Sequence, residues 1–410
     1  MTNVQSSGLD INIMWHVPES VFQSLAMAYP AKDRQIWFCV DYQNVASYMY
    51  SLIDCKWYRG NGIIPVINYG DKSDDKGQKG IIMLDAKQMA GVLVTNAVRF
   101  IYDIMRKAQK YDLDVRVIFF AEIGKSRYHL SYMGDYKKTR WVSWTKIDDP
   151  ILIYNAHLVG IANRLAILIM NQIFDLLPKT TFILLDQWES DFVPYYLSLK
   201  TINMPISVVT LSNDSDMLQN LLVPGSWLVR RIQKKVSGKM KPHMQILHGK
   251  EDLAEIAFKH VKNIDLEHKI QVAHLYTVFK SIMGDDSDNI VGIPGMGPVK
   301  SFKLCQQLAD KGLTYPDTMD EETLSKMLAE TNKKFTPGDI ATIIRNMHLI
   351  DYRYIIQELD ESVKETIDYK LSLLDYSHKD FITIADTLQK IPAFEGLWFV
   401  RMIHEWSSDA

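Results

Sequence analysis

The chain has 410 residues, enough for two or three folded units. A composition of 47% hydrophobic and 23% charged residues is that of a globular protein with a sizeable core, and a net charge of −3 supplies no global attraction to nucleic acid. The three cysteines, Cys39, Cys55 and Cys305, are far apart, which argues against a zinc or disulfide framework and fits a reducing, cytoplasmic setting.

Residues 1–35 read as a polar, partly helical leader without the basic start and apolar run of a signal peptide. "IWFCVDYQN" (36–44) is a buried-strand pattern that ends in Asp41. Residues 55–80 are rich in glycine and charge and predict an exposed loop, and 90–110 repeat apolar residues at helical spacing. "VRVIFFAE" (115–122) is a second strand, ending in Glu122, and the basic segment "GKSRYHLSYMGDYKKTR" (124–140) follows it. "LVGIANRLAILIMNQIFDLL" (158–177) is the most apolar long segment, but Asn163, Arg164, Asn171 and Gln172 make it a buried helix rather than a membrane span. "TFILLD" (181–186) and "ISVVTLSND" (206–214) are further strands, the latter ending at Asp214. In "VRRIQKKVSGKMK" (229–241) six cations stand without an acid and Gly238 suggests a turn; a solvated hairpin and a DNA contact are equally good readings. Past 262 the strands stop, 265–283 reads as one helix, and the remainder reads mostly helical.

Strands alternating with helices predict an α/β fold, a mostly parallel twisted sheet with helices on both faces, followed by a helical region. The expected organisation is a leader (1–35), a core (36–262) with a basic arch at about 124–157, a second region (263–350) and a helical extension (351–410).

Acids recur at the carboxyl ends of the strands, the edge where open α/β sheets bind ligands: Asp41, Glu122, Glu189 with Asp191, and Asp214 with Asp216. "GDDSDN" adds Asp285 and Asp288. The i, i+2 spacing of "WESDF" and "SNDSD" would point both acids of each pair the same way in an extended segment. Eight carboxylates in one cleft repel, at roughly 4 kcal/mol per close pair for an effective dielectric near 20, and divalent cations relieve that. Oxygen ligands without His or Cys favour Mg²⁺ or Mn²⁺, and two such ions hydrolyse phosphodiesters.

These motifs, in this order, resemble the flap endonuclease and 5′→3′ exonuclease family, a PIN-like nuclease core with a helix–hairpin–helix, most closely its bacteriophage members of the ribonuclease H type. "VDYQN" is similar to the family's first motif, "ESDF" to "EADD", "SNDSD" to "STDGD", and 283–297 to "MGDxxDNIxGxxGxG"; the likeness covers about 36–310. Three positions depart from the pattern: Phe192 replaces an aspartate, His129 an arginine and Gly134 a proline. The resemblance implies a structure-selective, Mg²⁺-dependent 5′ nuclease acting on DNA with a 5′ single strand, flap or RNA primer, a monomer working beside replication proteins. Asp41, Glu122, Glu189 and Asp191 would serve mainly one ion, and Asp214, Asp216, Asp285 and Asp288 the other.

Within the arch, the resemblance gives Lys137 and Arg140 a place on the scissile phosphate and Tyr136 a stacking role, with Lys125, Arg127 and Lys138 as further nucleic-acid contacts. In "GIPGMGPVK", Gly292, Gly295 and Gly297 allow close backbone approach, Pro298 starts a helix whose amides face a phosphate, and Lys300 adds charge. The family often adds a K⁺ ion held by hairpin carbonyls. A catalytically weakened protein that binds branched DNA is the alternative raised by Phe192, and a ribonuclease with no DNA role is the other rival.

Overall fold

The computed structural model describes residues 17–29, 34–49, 56–58, 62–64, 67–68, 81–82, 86–137, 150–236, 239–313 and 320–375. Most of the expected leader, most of the 55–80 loop, Lys138, Arg140 and the extension beyond 375 lie outside the described residues.

The central sheet has six strands: β1 (Gln35–Asp41), β2 (Asp114–Ile123), β3 (Thr180–Asp186), β4 (Ile206–Leu211), β5 (Ser226–Val236) and β6 (Lys239–His248). Their spatial order is β6-β5-β4-β1-β2-β3, parallel throughout except for the β5–β6 pair. The chain builds β1, β2 and β3 outward and then returns to place β4 on the other side of β1. That reversal opens a crevice at the carboxyl ends of β1 and β4, the position where such sheets bind ligands.

Period-two alternation divides the central strands between two cores. Phe38 and Val40 of β1 join Phe119 of β2 on one face; Cys39 joins Ile118 and Phe120 on the other. The first face is covered by α1 (Glu19–Ala28), α2 (Tyr42–Met49), α3 (Ala86–Lys110) and, beyond the short α4 (Arg127–Tyr132), by α5 (Pro150–Ile173). The apolar α5 is the core helix its sequence suggests: Ala162, Ala166, Met170 and Ile173 are buried at spacings of three and four residues. The second face is covered by α6 (Val193–Lys200), α7 (Gly249–Ala257), α8 (Leu266–Val272), α9 (Tyr276–Met283), α10 (Pro298–Asp310), α11 (Glu321–Thr331), α12 (Pro337–Ile350), α13 (Tyr352–Gln357) and α14 (Glu361–Ser372).

Two sequence expectations need correction here. Residues 265–283 are not one helix: α8 and α9 are separated by a 3₁₀ turn at Ala273–Leu275. Val272, Ala273, Leu275 and Tyr276, at and around that turn, are all buried. Strands also do not stop at 262, because β7 (Gly284–Asp285) and β8 (Ile290–Val291) pair antiparallel just before α10. Helix α14 packs against the edge strand β3, with Lys370 Nζ 2.5 Å from Asp175 Oδ2 and a Lys200–Asp368 ion pair. An edge covered in this way offers no template to another chain.

Candidate functional site

Asp41 closes β1 at the crevice and is 6% exposed. Ser212 Oγ donates to its Oδ2 at 2.7 Å and the Asn44 amide to its Oδ1 at 3.0 Å. Asn44 Oδ1 in turn accepts the Asn213 amide at 3.0 Å, so the loop after β4 is tied to the turn after β1. Burial pushes the Asp41 carboxyl up to about 7; the bonds from Ser212 and Asn44 pull against that, while the charges of Glu122 and Asp214 add to it. Glu122, the next-to-last residue of β2, accepts from Ser190 Oγ at 2.5 Å and from the Ser190 amide at 3.2 Å. Its carboxyl is raised by burial and then by the charge of Glu189. Asp191 is raised well above the ordinary range, first by burial and then by Glu122, Asp214 and Asp41. Asp41 and Asp191 are therefore electrostatic neighbours of each other and of both Glu122 and Asp214.

The i, i+2 pairs do not act as the sequence suggests. Neither segment is extended: Glu189 and Asp191 flank a bend, and Asp214 and Asp216 lead into a 3₁₀ helix in which Asp214 Oδ1 accepts the Asp216 amide at 2.9 Å. Each pair is split between two clusters. Glu189 turns to the arch, where Lys137 Nζ is 2.5 Å from its Oε1 and 3.7 Å from Asp288 Oδ2. The Tyr136 hydroxyl lies 3.1 Å from both Glu189 Oε2 and Asp288 Oδ2. Burial works to raise the Glu189 carboxyl, but the Lys137 charge, with hydrogen bonds from Lys137 and Tyr136, holds it below its ordinary range. Burial also pushes the His129 imidazole down, so Lys137 is the effective cation.

Asp216 turns instead to Lys280 of α9, which contacts it and also lies 2.8 Å from Asp285 Oδ2. Burial would raise the Asp285 carboxyl, but the Lys280 charge and bonds from Lys280 and Ser287 draw it down to about 2. A depressed carboxylate contributes stability above its unfolded pKa and loses it as pH falls through the folded value. Lys280→Met should therefore cost about 2 kcal/mol at neutral pH, less than a fully buried pair because water still screens these groups. The loss should shrink as Asp285 is protonated in acid; urea unfolding at neutral pH and near pH 3 measures both.

A continuous run of contacts and close charges links all eight acids, from Asp285 through Asp216, Asp214, Asp41, Asp191, Glu122 and Glu189 to Asp288. Among the described residues no three His, Cys, Asp or Glu side chains converge on one point. The donor chemistry nevertheless fits a hydrated divalent cation. Mg²⁺ keeps several waters and needs only one or two carboxylates directly, and burial, with neighbouring negative charge added to it, holds Asp41, Glu122 and Asp191 above their ordinary range, a burden that such a cation would relieve. The clusters do not follow the division of ligands expected between two ions: Asp214 stands with Asp41, Glu122 and Asp191, and Glu189 stands with Asp288.

Lys137 has φ +54°, a left-handed conformation a lysine rarely adopts, and its amide donates to the Asp288 carbonyl at 3.1 Å. His129 supports it from below. This imidazole is 1% exposed and stacks on Tyr136 at 4.5 Å. Its Nε2 lies 3.2 Å from the Leu349 carbonyl and its Nδ1 2.7 Å from Ser126 Oγ. Since a carbonyl only accepts, Nε2 carries the hydrogen and Nδ1 accepts from Ser126. Phe192, in place of an expected carboxylate, is fully buried in the second core. Lys125 and Arg127 are exposed at the root of the arch.

The hairpin glycines play two different parts. A Cβ on Gly292 would sit 2.0 Å from the Met283 carbonyl oxygen, and one on Gly284 2.3 Å from the Gly292 nitrogen, so β7 and β8 cross too closely for any side chain. Gly295 and Gly297 have nothing within 4 Å and leave the loop surface open ahead of α10. Lys300 Nζ donates to the Gly295 carbonyl at 3.0 Å. The sequence reading missed Lys280, Ser190 and Ser212. A lone lysine inside the apolar "YTVFKSIM", five residues before Asp285, was the available signal for the first.

No family model matches the chain, and no curated protein matches it by sequence. Among solved structures, the T5 5′-exonuclease with bound zinc superimposes with a TM-score of 0.50 at 14% identity, covering 83% of this chain and 100% of that one. The fold is that of the T5 5′-exonuclease. The T5 D15 protein co-crystallised with metal ions gives 0.47 at 16% identity over 84% of this chain and 100% of its own. The bacteriophage T5 D15 flap endonuclease, in a pseudo-enzyme–product complex with DNA and metal ions, gives 0.47 at 16% identity over 83% and 99%. On this 5′-exonuclease fold the acid chain lies at the crevice where β1 and β4 diverge.

Proposed function

We propose that the protein is a structure-selective 5′ nuclease that hydrolyses phosphodiesters in DNA or RNA–DNA at a 5′ single strand, flap or primer. The observation that carries this reading is the linked set of eight carboxylates at the sheet's switch point with Lys137 between Glu189 and Asp288. Bound Mg²⁺ or Mn²⁺ would supply an activated water and a counter-charge to the phosphate. Asp41, Glu122 and Asp191, which burial and neighbouring charge hold above their ordinary range, would hold it together with the adjacent Asp214. Tyr136 and His129 orient Glu189 and Lys137, and the open hairpin at Gly295 and Gly297 suits the sugar–phosphate backbone of a duplex. Trimming of flaps and primers during replication, with a K⁺ ion at the hairpin, is the role we assign.

The test is cleavage of 5′-flap, nicked and RNA-primed substrates with Mg²⁺, Mn²⁺ or EDTA, with products sized. Absence of metal-dependent cleavage on all of them would overturn the reading. Burial would lower the Lys137 amine, but Glu189, Asp191 and Asp288 hold it above its ordinary range, so it stays charged at any working pH. Lys137→Ala should lower the single-turnover rate about 10²-fold while the flap affinity changes little. An unchanged rate removes Lys137 from the chemistry.

A further inference from the structure

The run of cations at 229–241 opens with Arg230 and Arg231 on β5, and the nuclease reading gives work to neither. β5 pairs with β4 as far as Val229 and Leu211, and two bonds continue the contact past the end of β4. The Ser212 amide donates to the Val229 carbonyl at 3.2 Å, and the Arg231 amide to Asn213 Oδ1 at 2.5 Å. Arg230 therefore lies directly beside the loop that carries Asp214. Period two sets its direction. Trp227 and Val229 enter the first core and Leu228 the second, so Arg230 points, like Leu228, to the side of α9. There the Tyr276 hydroxyl donates to the Ser215 carbonyl at 3.0 Å, and the guanidinium lies in the fields of Tyr276 and Asp214.

Arg230 is half-buried, yet among the described residues it makes no hydrogen bond or ion pair. Its Nε is shut off from solvent without a partner, while the two terminal nitrogens reach solvent. Burial lowers this guanidinium below its ordinary range, so the fold bears the cost of the charge and gains no ion pair from it. The other cations at the acids differ. Lys137 is held by Glu189 and Asp288, and Lys280 by Asp216 and Asp285.

We propose that Arg230 binds a backbone phosphate of the substrate, next to the scissile one on its duplex side. The proposal rests on the nuclease reading and adds a positioning residue across the acids from Lys137. In the run of acids Asp214 and Glu189 are separated by Asp41, Asp191 and Glu122, so Arg230 and Lys137 flank the site from two sides. Lys137 belongs to the arch and the single strand, which leaves the paired strand to Arg230. Two free terminal nitrogens in one plane offer a phosphate paired hydrogen bonds. A guanidinium that Asp214 attracts but does not bind donates to a phosphate without first breaking an ion pair.

Arg230→Met keeps an apolar stem in place and removes the charge. Its melting temperature should not fall, since no ion pair is lost; a clear fall would make the side chain structural and overturn the proposal. In EDTA, fluorescence anisotropy should show a 5′-flap duplex bound about 10-fold more weakly than by the parent, as for one hydrogen bond to a charged group. Arg230→Lys should restore part of that affinity, and an unchanged affinity in Arg230→Met overturns the contact. The deciding arm replaces single phosphates around the flap junction by neutral methylphosphonates. One of them, on the paired side, should weaken the parent about 10-fold and the Arg230→Met protein not at all. Losses that multiply at every position, or a match on the unpaired strand, overturn the assignment. If the parent cuts nothing with Mg²⁺ or Mn²⁺, the nuclease reading falls, and the methylphosphonate comparison in EDTA still decides whether Arg230 holds a phosphate.

Discussion

Replacing Asp41 by asparagine should abolish flap cleavage and at the same time make the metal-free protein more stable at neutral pH. Both effects arise because this carboxylate is buried at the end of β1 beside Glu122, Asp191 and Asp214, which raises it to about 7. In the unfolded chain the same group titrates near 3.8. Between those values the folded protein holds a proton that the unfolded chain releases, so stability falls as pH rises from about 4 through about 7. For Asp41 alone the loss is on the order of 3–4 kcal/mol. Asparagine removes the charge and keeps the geometry, since its carbonyl oxygen still accepts the Asn44 amide. The metal-free variant should therefore show a flatter stability–pH profile and a higher melting temperature at pH 8, and divalent ions should stabilise it less than they stabilise the parent. Cleavage should fall by about 10³-fold or more, as expected when an electrostatic element of the reaction is removed. Calorimetric scans across pH 5–8, with and without Mn²⁺, read the stability arm. An unaltered slope would show that burial does not hold a proton on Asp41, and retained turnover would remove Asp41 from the site.

Gly292→Ala should unfold the hairpin region, whereas Gly297→Ala should leave it folded. The added methyl at 292 meets backbone, the Met283 carbonyl oxygen at 2.0 Å and its carbon at 2.2 Å, so no rotamer change relieves the clash. β7 and β8 must separate, and with them the loop that places Asp285 and Asp288. A cost above about 4 kcal/mol follows, lowering the melting transition by roughly 8–16 °C. Gly297 has φ −82° and open space around it, so alanine there meets no clash and costs at most about 1 kcal/mol of capping at the start of α10. If the hairpin grips a phosphate backbone, Gly297→Ala should instead weaken duplex binding about 10-fold, the penalty for one blocked amide contact to a charged group. Calorimetry and fluorescence anisotropy separate the two outcomes. A Gly292→Ala protein as stable as the parent would refute the close crossing.

Much of the fold was readable in the sequence because its strongest signals are local. The near-continuous apolar runs of β1, β2 and β3, each with an acid at or next to its end, follow from burial on both faces of a parallel sheet. The glycine and proline spacing of 292–298 is likewise a local steric demand, met where β8 leads into α10. The α8–α9 break was not legible, because the apolar spacing of 265–283 runs on across the 3₁₀ turn at Ala273–Leu275 and no glycine or proline marks it.

What the sequence determined alone is the inventory: which acids, which lysine, which glycines, and the order of strands that carries them. What only the tertiary structure decided is how they are grouped. Spacing of two residues predicted that Glu189 would act with Asp191 and Asp214 with Asp216, but one pair flanks a bend, the other leads into a 3₁₀ helix, and each faces two ways. Lys137 draws Glu189 to Asp288 and Lys280 draws Asp216 to Asp285, partners 99 and 69 residues apart in the chain. The field at a carboxylate depends on distance through space, and sequence separation carries no information about that until the sheet has closed around it.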